Sequence, residues 1–204
     1  MRSTMADSPV GISTDGRVWY VIYVKARHEK SVAADLASRK IESYLPLRKE
    51  MHKWSDRKKW VEVPLFSSYV FVKVSIAEFN RVYLAPGFVK FVSTNGKPSV
   101  IPDRQIEDIR RVVDYFANDV EVLEGTFSGR EAEVTAGPLA GLKGEIIELV
   151  NGKTFVIRVE GLDKLLNVKV PVNSVRVMNP PPDLKSSVTS PSNVGADAER
   201  ESES

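Results

Sequence analysis

The chain contains no cysteine. That absence excludes disulfides, thiolate zinc sites and a cysteine nucleophile. It also fits a reducing compartment, so a cytoplasmic location is expected. Histidine is nearly absent too: only His28 and His52 occur. A histidine-rich metal centre or a serine–histidine triad has almost nothing to draw on. There is no apolar run long enough to span a bilayer. The opening stretch, Met1 to Ser8, lacks the apolar segment of a signal peptide. A phosphate-cradling loop is missing as well, since Gly137-Pro138-Leu139-Ala140-Gly141 does not end in Lys-Ser/Thr. These gaps argue against an enzyme, and no cofactor, metal or membrane contact is expected. The chain is read as a monomer.

What is present is an ordinary globular composition: 204 residues, 42% hydrophobic and 27% charged, enough for one or two domains. The net charge of +2 hides an asymmetry. Residues 17–118 carry 19 Lys+Arg against 11 Asp+Glu, a net +8. Residues 119–183 carry 7 against 10, a net −3. A basic first half joined to a mildly acidic second half suggests two modules, the first lying near a polyanion.

The organising stretch runs from Val61 to Val74. From Tyr69 the residues alternate, with Val70, Val72 and Val74 on one strand face and Tyr69, Phe71 and Lys73 on the other. The valines suit a core. The aromatic face is expected to stay open as a docking surface, because a small domain seldom buries both sides of its sheet. Val18 to Val24 reads as a central strand, and His28 to Ser43 as a helix with Val32, Ala33, Leu36, Ala37 and Ile41 on its apolar stripe. Pro46 makes Tyr44 to Leu47 extended.

Arg48 to Val63 then reads as a hairpin turning at Ser55-Asp56. Its tip gathers Lys53, Arg57, Lys58 and Lys59, cations suited to phosphates. Trp54 and Trp60 are expected to pack across the strands. A short helix over Ile76 to Leu84, a strand Phe88 to Val92 and a long helix from Asp103 to Ala117 follow. The first module is thus a sheet with helices on one face. Beyond a linker at 119–129, five short strands between residues 130 and 179 suggest a small closed barrel, with Asn151-Gly152 as a hairpin turn. Residues 1–16 and 180–204 lack core-forming pattern and are expected to be disordered tails.

Trp19-Tyr20-Val21-Ile22-Tyr23, followed by a helix and then by Val63-Pro64-Leu65-Phe66-Ser67-Ser68-Tyr69-Val70-Phe71-Val72, resembles the N-terminal domain of NusG-type transcription elongation factors. Gly137 to Ile146, with Gly137, Pro138, Gly141 and Gly144, resembles the KOW motif. The resemblance implies an α+β fold, an N-terminal α/β sandwich plus a C-terminal SH3-like β-barrel, over residues 17–178. Trp54 to Trp60 and Gly96 to Pro102 are similar to the specialised UpxY-like paralogues, which are related to RfaH and associated with antitermination in exopolysaccharide operons.

This likeness implies binding to the clamp helices of the RNA polymerase largest subunit through Tyr23, Phe66, Tyr69 and Phe71, with Trp19 and Val21 lining the same pocket. It implies a second polymerase contact near Asn80, Arg81 and Val82. Contacts to non-template DNA or nascent RNA would come from Lys25, Arg27, His28 and Arg39. The barrel would meet a ribosomal protein or Rho. It is expected to be constitutively β, because Ile146-Ile147, Thr154 to Ile157 and Val168 to Val170 are β-rich. One departure stands out: Ser67-Ser68 replaces the family's Pro-Gly or Pro-Asn, so a looser turn beside Phe66 is expected. A general housekeeping NusG and a KOW-type RNA- or ribosome-binding protein remain the alternatives.

Overall fold

The computed structural model describes residues 16–53, 58–116, 119–125, 127–149 and 152–178. The elements of the first module are β1 (Val18–Val24), α1 (Glu29–Ser38), β2 (Glu42–Tyr44), β3 (Leu47–Lys53), β4 (Lys58–Pro64), β5 (Tyr69–Val74), α2 (Phe79–Tyr83), β6 (Phe88–Phe91), β7 (Ser93–Thr94), β8 (Lys97–Pro98), β9 (Val100–Ile101) and α3 (Asp103–Phe116). A 3₁₀ turn at Ile76–Glu78 leads into α2. The second module holds β10 (Glu121–Glu124), β11 (Gly129–Val134), β12 (Lys143–Leu149), β13 (Gly152–Val159), β14 (Lys164–Val168) and β15 (Val175–Val177).

The first sheet is antiparallel, ordered β2-β5-β1-β6, with β9 also paired to β1. Its centre is the β1–β5 ladder, which sets Val21 opposite Phe71 and Tyr23 opposite Tyr69. Val70, Val72 and Val74 face one core with Tyr20, Ile22 and Val24, under Val32 and Leu36 of α1 and Val82 of α2. Each such aliphatic side chain removed from water contributes about 1.5–3 kcal/mol. The opposite face carries Trp19, Val21 and Phe71, and it meets Ile106, Ile109 and Val112 of α3. The helices therefore lie on both faces of the sheet, not on one as expected. An amphipathic stripe says that a helix must cover something apolar; it does not say which face.

Helix α1 stops at Ser38, short of the expected Ser43. Lys40 takes a left-handed φ of 58°, while its N–H bonds to Ala37 O at 2.9 Å and that of Ile41 to Leu36 O at 2.9 Å. This is a Schellman-type stop made without the usual glycine. Ile41 stays buried beyond it.

The second sheet is antiparallel, in the order β10-β14-β13-β12-β11-β15. Its strands fall where expected, with one addition. β10 lies inside the expected linker and pairs with β14 from Glu121↔Asn167 to Glu124↔Lys164. Among the described residues no pairing joins β10 to β15, so the expected closed barrel is here an open path of six strands. The expected tails, at 1–15 and 179–204, lie outside the described residues, as do Trp54, Ser55, Asp56 and Arg57 of the hairpin tip and Asn151 of the second turn.

Candidate functional site

The turn before β5 orients the aromatic face. Ser68 sits at φ +67°, a left-handed conformation that a non-glycine residue reaches at a cost of roughly 1–2 kcal/mol. Its N–H donates to Glu29 Oε1 at 2.7 Å, and Glu29 is itself buried. Ser68 O accepts from the Val24 N–H at 2.9 Å, and the Tyr69 N–H donates to Phe66 O at 3.2 Å. Three hydrogen bonds thus hold a turn that two serines were expected to leave loose. The buried carboxylate at the start of α1 supplies the acceptor, and nothing in the helical pattern marked Glu29 for that task.

From this turn the rings assemble. Tyr23 and Tyr69 meet edge to face, with centroids 5.4 Å apart. Phe66 and Phe71 do the same at 5.9 Å, and Tyr44 stacks on Phe71 at 6.2 Å. Burial pushes the Tyr44 hydroxyl well above the usual phenol range, with Arg110 opposing that shift. The six predicted docking residues therefore do share one face. They do not share one environment: Trp19, Val21, Phe66 and Phe71 are buried, while Tyr23 and Tyr69 remain half-exposed at the rim. The expectation of an open aromatic face is corrected here.

Two layers close it. Arg110 of α3 lies 5.9 Å over the Trp19 ring and 4.8 Å over Tyr44. At the other end Lys164 of β14 lies 5.7 Å over the Tyr69 ring. One apolar cluster runs from Trp19, Phe66 and Phe71 through α3 into Leu139, Leu142, Phe155 and Leu166 of the second module.

Polar contacts lock the junction. Gln105 of α3 donates to Arg158 O at 2.9 Å and accepts from the Glu160 N–H at 3.0 Å. Arg111 donates to Pro138 O at 3.1 Å and to Ala140 O at 2.9 Å. Asp108 faces Arg104 and Arg111 at 3.8 and 3.6 Å, and burial raises its pKa against their pull. Gly161 packs so close that a Cβ there would stand 2.6 Å from Ser99 Cβ. Gln105 and Arg111 were missed in the sequence, where they read as the polar side of a helix.

Gly137 and Gly141, in the turn between β11 and β12, both have positive φ, at 80° and 82°, and Pro138 lies between them. Gly144 has no space for a side chain, as its Cβ would meet Val156 O at 2.4 Å.

The predicted cationic residues divide. Arg39 is engaged structurally, 2.8 Å from Asp35 and 3.2 Å from Leu84 O. His28 lies against Gly87, with Nδ1 3.1 Å from Ala26 O. Lys25 and Arg27 are exposed beside it. Lys53, Lys58 and Lys59 stand exposed on the β3–β4 arm. Trp60 was expected to pack across that arm, yet it is 52% exposed. Of the second predicted polymerase contact, Val82 is fully buried in the valine-side core, and Arg81 pairs with Glu78 at 3.4 Å; only Asn80 points into solvent without a partner.

The described residues hold no cluster of three or more metal-binding side chains, and none of their helices is long and apolar enough to cross a membrane. Residues 17–110, which include the β1–β5 face, the arm and half of α3, match the family model described as Transcription termination factor nusG. This segment is a NusG family domain.

The NusG family is one of transcription factors. No curated protein matches the chain. Among solved structures, the chain is similar to one titled "Domain interaction in Thermotoga maritima NusG", at 21% identity, covering 80% of this chain and 98% of that one, with a TM-score of 0.48. It is also similar to two conformations of the MjSpt4:Spt5 complex. The first has 15% identity, covers 78% of this chain and 96% of that one, and has a TM-score of 0.28. The second has 16% identity, covers 81% and 99%, and has a TM-score of 0.29. The NusG domain itself spans the aromatic face and its rim.

Proposed function

We propose that this chain is a transcription elongation and antitermination factor whose NusG domain docks on the clamp helices of RNA polymerase. The observation that carries the reading is the aromatic face built from the Tyr23–Tyr69 and Phe66–Phe71 pairs at the centre of the NusG domain sheet. Rigid rings on a sheet present large apolar area with little entropy to lose, as a helical partner surface requires. Bound across the clamp, the factor stabilises the closed state over the open, pausing one. It does no chemistry: it binds one conformation better than another.

Docking through this face requires the second module to lift away, because Lys164, Leu166 and their neighbours occupy it here. The junction suits such a change, since much of its polar part is a few side-chain-to-backbone bonds. Once lifted, the second module would be free to meet a ribosomal protein or Rho. The UpxY-like wording at Trp54 to Trp60 and Gly96 to Pro102 favours service to few operons, exopolysaccharide operons among them, over a general role.

A photo-cross-linking residue at Tyr69 tests the docking. Covalent capture of the polymerase largest subunit within the clamp helices is expected, and capture elsewhere or none would refute it. Genome-wide run-on transcription tests the scope, with one or a few operons changing in the absence of the protein. A change across most operons would make it a general factor.

A further inference from the structure

The β3–β4 arm has features that polymerase docking leaves unused. It is a two-stranded ladder of seven residues on each side, from Leu47↔Pro64 to Lys53↔Lys58. It belongs to neither main sheet. From Lys49 to Lys53 and from Lys58 to Trp60 every residue is exposed. An isolated hairpin with both faces in water is marginal, and this one is further burdened by its own charges. Lys53 stands opposite Lys58. Like charges directly across a rung destabilise a ladder. Arg48 is paired with Glu50 at 3.1 Å. Among the described residues Lys53, Lys58 and Lys59 have no acidic group across the ladder, whereas Lys49 stands opposite Glu62 without a direct ion pair to it.

Residues opposite one another in a ladder share a face. One face of the arm therefore shows Lys49, Met51 and Lys53 on β3 beside Lys58, Trp60 and Glu62 on β4, with the cations gathered toward the tip and Glu62 at the base. Trp60 is 52% exposed and Met51 47%. Trp60 also borders an open concavity of ≈ 850 Å³, which Lys30, Lys49, Lys59, Val61 and Glu62 complete. Lys30 of α1 donates to Glu62 O at 2.7 Å, which fixes the base of the arm to the NusG domain. An exposed indole set among unpaired cations is what an unpaired base over a phosphate backbone needs: a π-face to stack on and charge on either side.

We infer that this face of the arm binds single-stranded nucleic acid, with one base stacked on Trp60 and phosphates held by Lys49, Lys53 and Lys58. A duplex does not satisfy the site, because its bases are already stacked and cannot reach the indole. Stacking on an indole and charge on phosphates use features common to both nucleic acids, so DNA and RNA single strands are bound alike. The inference stands apart from polymerase docking, which uses Tyr23, Phe66, Tyr69 and Phe71.

The test is fluorescence anisotropy of the full chain with labelled oligo-dT, oligo-rU and a blunt DNA duplex, without polymerase. Similar affinity for both single strands, weaker binding to the duplex and a steep salt dependence are expected. Trp60→Ala should weaken single-strand binding roughly tenfold while leaving the salt slope unchanged. Trp60→Phe, which keeps a ring, should restore most of it. Lys49→Gln and Lys58→Gln should each lower the salt slope by about one. Unchanged affinity in Trp60→Ala, or a duplex bound as tightly as the single strands, would overturn the inference. Neither result bears on clamp docking, which Tyr69 cross-linking reads separately.

Discussion

If the second module covers the docking face, loosening the junction should tighten polymerase binding. Gln105→Ala is the sharpest perturbation, because this side chain bonds to Arg158 O and the Glu160 N–H and lies outside the aromatic face. A protein hydrogen bond contributes about 0.5–1.5 kcal/mol net, and both bonds sit at a partly solvated edge, so a loss of about 1–1.5 kcal/mol is expected. That shifts the closed–open balance roughly tenfold. The apparent dissociation constant of a partner that binds only the open form scales inversely with the open fraction, so polymerase affinity should rise roughly tenfold while the open form remains the minority. Two readings are needed together. Hydrogen exchange at junction amides other than Glu160, whose own acceptor the substitution removes, reports that the junction has loosened, and binding to core polymerase reports the consequence. Faster exchange with unchanged or weaker polymerase binding would refute the idea that the second module competes for this face.

Three further outcomes are expected. Ser68→Gly removes the strain of a left-handed serine and should stabilise the domain by about 0.5–1 kcal/mol, read as a rise in melting temperature; a fall would mean that the turn relies on the serine itself. Phe71→Ala empties a fully buried site and should cost about 3–5 kcal/mol in urea unfolding, and a loss below about 1 kcal/mol would show that the ring is not core. Hydrogen bonds from Arg17 and from the Ser75 N–H lower the pKa of Glu78 from 4.5 to about 2. The unfolded chain then binds this proton more readily, so the contribution is complete above about pH 4.5 and fades as the pH falls toward 2. Glu78→Gln should flatten the acid limb of stability against pH in that window, and an unaltered limb would contradict the assignment.

Much of the first module was readable from local pattern. β1 and β5 are long, β-branched and aromatic runs whose alternation survives in the register, and the valine-side core follows directly from it. The stop of α1 was not readable, because Lys40 adopts a left-handed conformation with no glycine to announce it. Nor was β10. Glu121-Val122-Leu123-Glu124 is too short to show a period, and its strand state comes from pairing with β14, some 40 residues away in sequence. The aromatic residues of the candidate site were placed on one face, but their burial was not foreseen. Whether a face is open depends on what a second module lays over it, and periodicity within one strand holds no trace of that. The same limit hid Gln105 and Arg111, ordinary polar helix residues until the second module supplies their acceptors.

Because Phe71 is core, it cannot separate docking from folding; the rim residues can. The decisive measurement is the affinity of RNA polymerase for Tyr23→Ser/Tyr69→Ser, with circular dichroism and thermal melting run alongside. Both rings are half-exposed and meet each other at 5.4 Å, so the double variant should keep its fold. Loss of polymerase binding by a folded variant is the predicted result. A folded variant that binds polymerase as tightly as the parent chain would contradict docking through this face.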